Sequence, residues 1–108
     1  MGAAERKIEE YLVRQVRDVL GGIAYKFVSP ARRNVPDRLC TLPTGLTVFV
    51  ECKSPQGYIS AGQQKEIERL TNLGQYVIVV SSKSEVDEFI DVFAKLIKLR
   101  KEKGYGKL

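Results

Sequence analysis

The run LTVFVECK, residues 46–53, decides how the rest of the chain is read. It is rich in β-branched and aromatic residues. The turn-forming PTG (43–45) precedes it and the loop SPQGYISAG (54–62) follows, so it reads as a strand. Alternation puts Thr47, Phe49, Glu51 and Lys53 on one face and Val48, Val50 and Cys52 on the other. Immediately upstream, DRLCTL (37–42) reads as a second strand, and the short PTG makes the two a plausible hairpin. Further upstream, IAYKFV (23–28) is a strand and SPARRNVP (29–36) an arginine-bearing loop. Downstream, GQQKEIERLTNL (62–73) has helical spacing with Ile67, Leu70 and Leu73 inward, and Gly74 stops it. QYVIVVSS (75–82) is wholly apolar at its centre, the pattern of a strand buried on both faces. The helix before it predicts a parallel pairing with 46–53 through a right-handed crossover.

Helices close both ends. In residues 3–20, Ile8, Leu12, Val16 and Val19 form one stripe flanked by Val13 and Leu20, and Gly21-Gly22 ends the helix. The last helix runs from about Glu85 to Lys101 behind a capping box of Ser84 and Asp87, with Val86, Phe89, Ile90, Phe93, Leu96 and Ile97 inward. Residues 102–108 read as a flexible tail. The order α-β-β-β-α-β-α predicts an α/β fold: one mixed central sheet flanked by helices, in a single domain over 1–108.

With 108 residues the chain can build one core and not two. A net charge of +5 suggests a polyanionic partner, though basicity also serves solubility. No segment is apolar enough to cross a membrane and no signal peptide opens the chain, so a cytoplasmic location is expected. Cys40 and Cys52 lack C-x-x-C spacing and the chain has no histidine. That excludes a zinc fold and every histidine-based mechanism. Both thiols are expected to pack as small hydrophobes. Chemistry must run on carboxylates, lysine, tyrosine or a bound metal.

Three acids and a lysine stand out. Glu51 and Lys53 are face-neighbours near the end of an apolar strand, and a hairpin register permits Asp37 to lie near Glu51. Two carboxylates forced together repel, and a divalent cation relieves both the repulsion and the burial. The competing reading is a solvent-exposed Glu51–Lys53 ion pair on an amphipathic strand with Asp37 in an ordinary turn. At about 100° per residue, Glu9 and Glu5 fall within the inward stripe of the first helix. Glu9 is the deeper of the two; Glu5, near the N-terminus, suits a solvated acid.

The segments VPDRL (35–39) and VFVECK (48–53) resemble the PD-(D/E)xK nuclease signature, with Pro36-Asp37 followed by Glu51-Cys52-Lys53. From about Glu5 to Ser82, the chain is similar to the VRR-Nuc (virus-type replication-repair nuclease) domain. The similarity lies in YKFVSP (25–30), NVPDRL (34–39) and the long stretch GLTVFVECKSPQGYISAGQQKEIERLTNLGQYVIVV (45–80). The resemblance implies a restriction-endonuclease-like αβββαβ core with an extra C-terminal helix. It implies Mg²⁺ or Mn²⁺ held by Asp37, Glu51 and the Cys52 backbone carbonyl, with Glu9 (or its rival Glu5) as the helix-one acid. Lys53 would position or deprotonate the attacking water, and Gln63, or the adjacent Gln64, would be the helix glutamine. Many members carry glycine before the PD pair, where this chain has Asn34 and Val35; asparagine tolerates unusual backbone angles and can serve the same turn.

The implied reaction is metal-dependent endonucleolytic hydrolysis of DNA, on branched substrates such as Holliday junctions, by a homodimer. Candidate phosphate contacts are Lys26, Arg32, Arg33, Arg38, Lys65 and Arg69, which cluster in sequence around the site. No base-reading motif is visible, which favours recognition of shape. The alternative is a nucleic-acid-binding module that keeps the fold without the catalysis.

Overall fold

The computed structural model describes residues 2–106. The elements are α1 (Ala3–Gln15), continued by a π-helical turn (Val16–Leu20), β1 (Ile23–Lys26), β2 (Arg38–Leu42), a 3-10 turn (Pro43–Gly45), β3 (Leu46–Cys52), α2 (Ala61–Asn72), β4 (Tyr76–Val80) and α3 (Lys83–Glu102). The strands form one mixed sheet in the order β1-β2-β3-β4. β2 pairs antiparallel with β1 and with β3, and β3 pairs parallel with β4. The α/β class, the hairpin across PTG and the parallel β3–β4 pair therefore stand as read from the sequence.

Register fixes which side chains share a face. Cys40 opposes Val48, Arg38 opposes Val50, and Cys52 opposes Val80. With Leu12 and Val16 of α1 and Val86, Phe89 and Phe93 of α3, this face builds the main core. The opposite face carries Leu39, Phe49 and Val77, directly paired across the strands, and α2 covers it. Glu51 follows Phe49 on that second face.

Four expectations are corrected. Val19 is 53% exposed and Leu20 is buried in its place. The π-helical turn adds a residue per turn, so the inward stripe moves one position along the chain. Leu73 is exposed, and Glu66 is the buried side chain of α2. β4 is an edge strand, paired among the described residues with β3 alone, so Tyr76 and Val79 are exposed despite their apolar run. The cap of α3 is Ser82, whose hydroxyl accepts from the Glu85 amide, and not Ser84.

Residues Lys103–Gly106 form turns in which Tyr105 lies under the Arg100 guanidinium at 4.2 Å, while Arg100 donates to the Thr44 carbonyl at 2.7 Å. Lys107 and Leu108 of the expected tail lie outside the described residues. Among the described residues, no helix is long and apolar enough to cross a membrane.

Candidate active site

Asp37 stands one residue before β2, behind the fully buried Pro36. Its carbonyl accepts from the Phe27 amide at 2.9 Å, which extends the β1–β2 pairing by one step and fixes its backbone. Its carboxylate accepts from the Cys52 amide at 2.8 Å. Asp37 is thus tied to the segment between Glu51 and Lys53, on the face the register assigns to Glu51. The approach of loop 29–36 depends on Asn34, which holds a left-handed backbone at φ 65°. Asparagine is among the few residues that accept this conformation. The Asn34 side chain packs on the first turn of α2, where a Cβ at Gly62 would meet Asn34 Nδ2 at 2.5 Å.

Glu51 is 3% exposed. Its Oε2 accepts from Gln63 Nε2 at 3.1 Å and lies 3.4 Å from Lys53 Nζ. The exposed ion pair that spacing alone allowed is therefore excluded: the pair is sunk in the structure. Burial, and then the charge of Asp37, push the Glu51 carboxyl up to about 7, and Lys53 pulls in the opposite direction. A buried acid beside a second acid is the electrostatic setting that a hard divalent cation relieves.

Gln63 is aligned at both ends. Its Oε1 accepts from the Ser60 amide at 3.0 Å, and its own amide donates to Ser60 Oγ at 3.1 Å. This capping box starts α2 and aims the Gln63 NH₂ at Glu51. Gln64 points elsewhere, donating to Glu68 at 3.2 Å.

Glu9 is 4% exposed, as its place in the inward stripe requires. Its Oε2 accepts from Arg38 Nε at 2.7 Å and from Lys26 Nζ at 3.2 Å. Arg38 also donates to the Ala24 carbonyl at 3.1 Å, so Glu9 clamps the β1–β2 junction next to Asp37. Glu5 is half-buried in the first turn of α1. Burial, and then the charges of Asp37, Glu9 and Glu51, push the Cys52 thiol upward. Glu9 lies with Arg38, which opposes Val50 on the core face, whereas Asp37 and Glu51 share the other face of the sheet. Among the described residues, no three His, Cys, Asp or Glu side chains come close enough to hold one ion together. The all-oxygen Asp37–Glu51 pair is the part of the acidic group that fits Mg²⁺ or Mn²⁺, which need only one or two carboxylates.

Replacing Arg38 with glutamine should cost about 2 kcal/mol, because Glu9 stays buried with only the half-exposed Lys26 as counter-charge. The midpoint of urea unfolding measures this; an unchanged midpoint would show that the clamp carries no stability.

The cations divide into two clusters. Lys26 and Arg38 line an open cleft of about 520 Å³ together with Arg6, Glu9, Glu10 and Arg14. Arg32, Arg33, Lys65 and Arg69 line a second cleft of about 330 Å³ at the start of α2. In this cleft Glu66 accepts from Arg32 at 3.2 Å and lies 3.7 Å from Arg69. Of the six expected phosphate contacts, Arg33 and Lys65 are the two without an ion pair among the described residues. Glu66, Arg6 and Arg14 were not singled out in the sequence. The signal for Glu66 was its helical spacing from Gln63 and Leu70, which places it on the sheet-facing side of α2.

No protein-family model matches the chain. A protein described as "Putative nuclease p44", from Acyrthosiphon pisum secondary endosymbiont phage 1, is 55% identical over 78 residues; the match spans 72% of this chain and 83% of that protein. A solved structure described as "VRR_NUC domain" superposes with a TM-score of 0.77 at 31% identity, covering 83% of this chain and 97% of the other. The fold, the relative and the convergence of Asp37, Glu51 and Lys53 agree, and the chain belongs to the VRR-Nuc nuclease family.

Proposed function

We propose that the protein is a divalent-metal-dependent endonuclease that hydrolyses DNA phosphodiester bonds, selective for branched DNA such as four-way junctions. The observation that carries this reading is the buried Glu51 carboxylate, with the half-buried Asp37 tied to the neighbouring Cys52 amide at 2.8 Å and Lys53 Nζ 3.4 Å from Glu51. Asp37, Glu51 and the Cys52 carbonyl would hold Mg²⁺ or Mn²⁺, which when bound acts as a Lewis acid toward phosphate and lowers the pKa of water. Lys53 places its ammonium at the same point, where it orients the attacking water and offsets negative charge building on the phosphorus oxygens. Gln63 holds the Glu51 carboxylate in one orientation. Glu9 acts through Arg38 as a positioning residue for the strand end that carries Asp37.

The two cation-lined clefts supply backbone contacts, with Arg33 and Lys65 the most available. One chain carries one such site, so symmetric cutting of two strands calls for a C2 dimer. The open edge of β4, with Val79 and Val92 exposed beside it, is the surface we assign to that contact. The proposed setting is the cytoplasm.

The test is incubation with labelled four-way junction, flap and linear duplex in Mg²⁺, Mn²⁺ or EDTA. Cleavage of branched substrates with either metal and none in EDTA is expected. Salt-sensitive binding with no cleavage in any metal would instead make the protein a binding module that keeps the fold.

A further inference from the structure

We propose that Tyr58 is a stacking platform for an unpaired nucleobase next to the phosphate that is cut; this rests on the nuclease reading above. The loop that carries it has both ends fastened at the site. At its start, Lys53 lies 3.4 Å from Glu51; just past its end, Gln63 donates to the same carboxylate at 3.1 Å. Between them the chain closes a tight turn, with the Gly57 amide donating to the Ser54 carbonyl at 2.9 Å. A Cβ at Gly57 would lie 3.0 Å from Ser54 Oγ and 3.2 Å from Ser54 O, so the turn has little room. Ile59 is half-buried and Ser60 caps α2. Tyr58 is therefore held between a closed turn and a helix cap, yet it is 83% exposed.

Three other tyrosines have partners within the fold: Tyr11 donates to Asp87 at 2.6 Å, Tyr76 packs edge-on against Phe93, and Tyr105 lies under Arg100; Tyr25, in β1, is 52% exposed. Among the described residues Tyr58 has no hydrogen bond, aromatic partner or cation. A large aromatic ring held in water contributes nothing to the core. Beside a nuclease centre, the complementary ligand is a flat nucleobase, which stacks on such rings regardless of sequence. A base inside a duplex has both faces already covered by its neighbours; an unpaired base at a branch or gap does not. Tyr58 thereby favours substrates with an unpaired nucleotide beside the cut.

The experiment places 2-aminopurine at that nucleotide, unpaired in one substrate and paired in another. Binding is followed by fluorescence in the non-cutting Lys53→Met protein, and cleavage in the otherwise unaltered chain. Quenching on the unpaired probe should survive Tyr58→Phe and Tyr58→Trp and vanish with Tyr58→Ala. Tyr58→Ala should also raise KM for the unpaired substrate by roughly tenfold more than for the paired one. Equal effects on both substrates, or Tyr58→Phe behaving like Tyr58→Ala, would overturn the proposal. So would a changed sedimentation coefficient for Tyr58→Ala, which would place the ring in a subunit contact. If the unaltered chain quenches the probe but cuts nothing, the nuclease reading fails and stacking stands. If it cuts and all three variants match it, stacking alone fails.

Discussion

Lys53→Met should lower cleavage of a four-way junction by roughly 10²- to 10⁴-fold, the usual range for losing a positioned acid–base group. Methionine keeps the stem length and packing of lysine without the charge. The backbone of residue 53 is fixed independently, its amide donating to the Val80 carbonyl at 2.9 Å, so the fold should survive. The loss has two sources. The ammonium no longer serves the reacting phosphate and water. Glu51 also loses the cation that opposes the upward push of burial and of Asp37, so more of it is protonated near neutrality. Single-turnover cleavage measures the rate, and a gel-shift titration in EDTA measures binding. Loss of junction binding together with the circular dichroism signal would make Lys53 a structural residue and end its catalytic assignment.

Glu51→Gln should abolish cutting and yet stabilise the metal-free protein at alkaline pH. In the folded chain the Glu51 carboxyl keeps its proton up to about 7, against 4.5 for an unhindered glutamate. Between those values the folded state binds more protons than the unfolded state, so stability falls as pH rises. The shift corresponds to about 3 kcal/mol, absent at pH 4 and fully expressed by pH 8. That is a large share of the roughly 5–15 kcal/mol that holds a domain of this kind together. Urea unfolding in EDTA from pH 5 to 8 should show the decline in the unaltered chain and a flatter profile in Glu51→Gln. Mg²⁺ at pH 8 should restore stability to the former and do nothing for the latter. Parallel profiles for the two proteins would mean that Glu51 is not held under electrostatic stress.

Much of this was legible from alternation and spacing. Period-two patterning put Glu51 and Lys53 on one face and Val48, Val50 and Cys52 on the other, and the short turn after Leu42 permitted, without fixing, a register that brings Asp37 alongside. Glu9 was visible because an acid in an inward helical stripe needs a partner. That partner could not be read, since Lys26 and Arg38 are brought to Glu9 by strand pairing, a long-range event with no local signature. The same holds for Glu66 with Arg32 and Arg69. Val19 and β4 misled for different reasons. A single π-turn shifts a helical stripe without changing composition, and an apolar strand reads alike whether it lies inside a sheet or at its edge. Tyr58 carried no periodic signal at all, because loops are placed by what their ends are attached to.

The contact between Asn34 and Gly62 joins two stretches of chain that flank the strand carrying Glu51. One leads into Asp37; the other begins the helix that carries Gln63. A bare backbone at position 62 leaves room for the Asn34 side chain to pack against it. A methyl group there would meet the end of the exposed Asn34 side chain and turn it aside, undoing this tie between the two stretches while leaving every reactive group chemically intact.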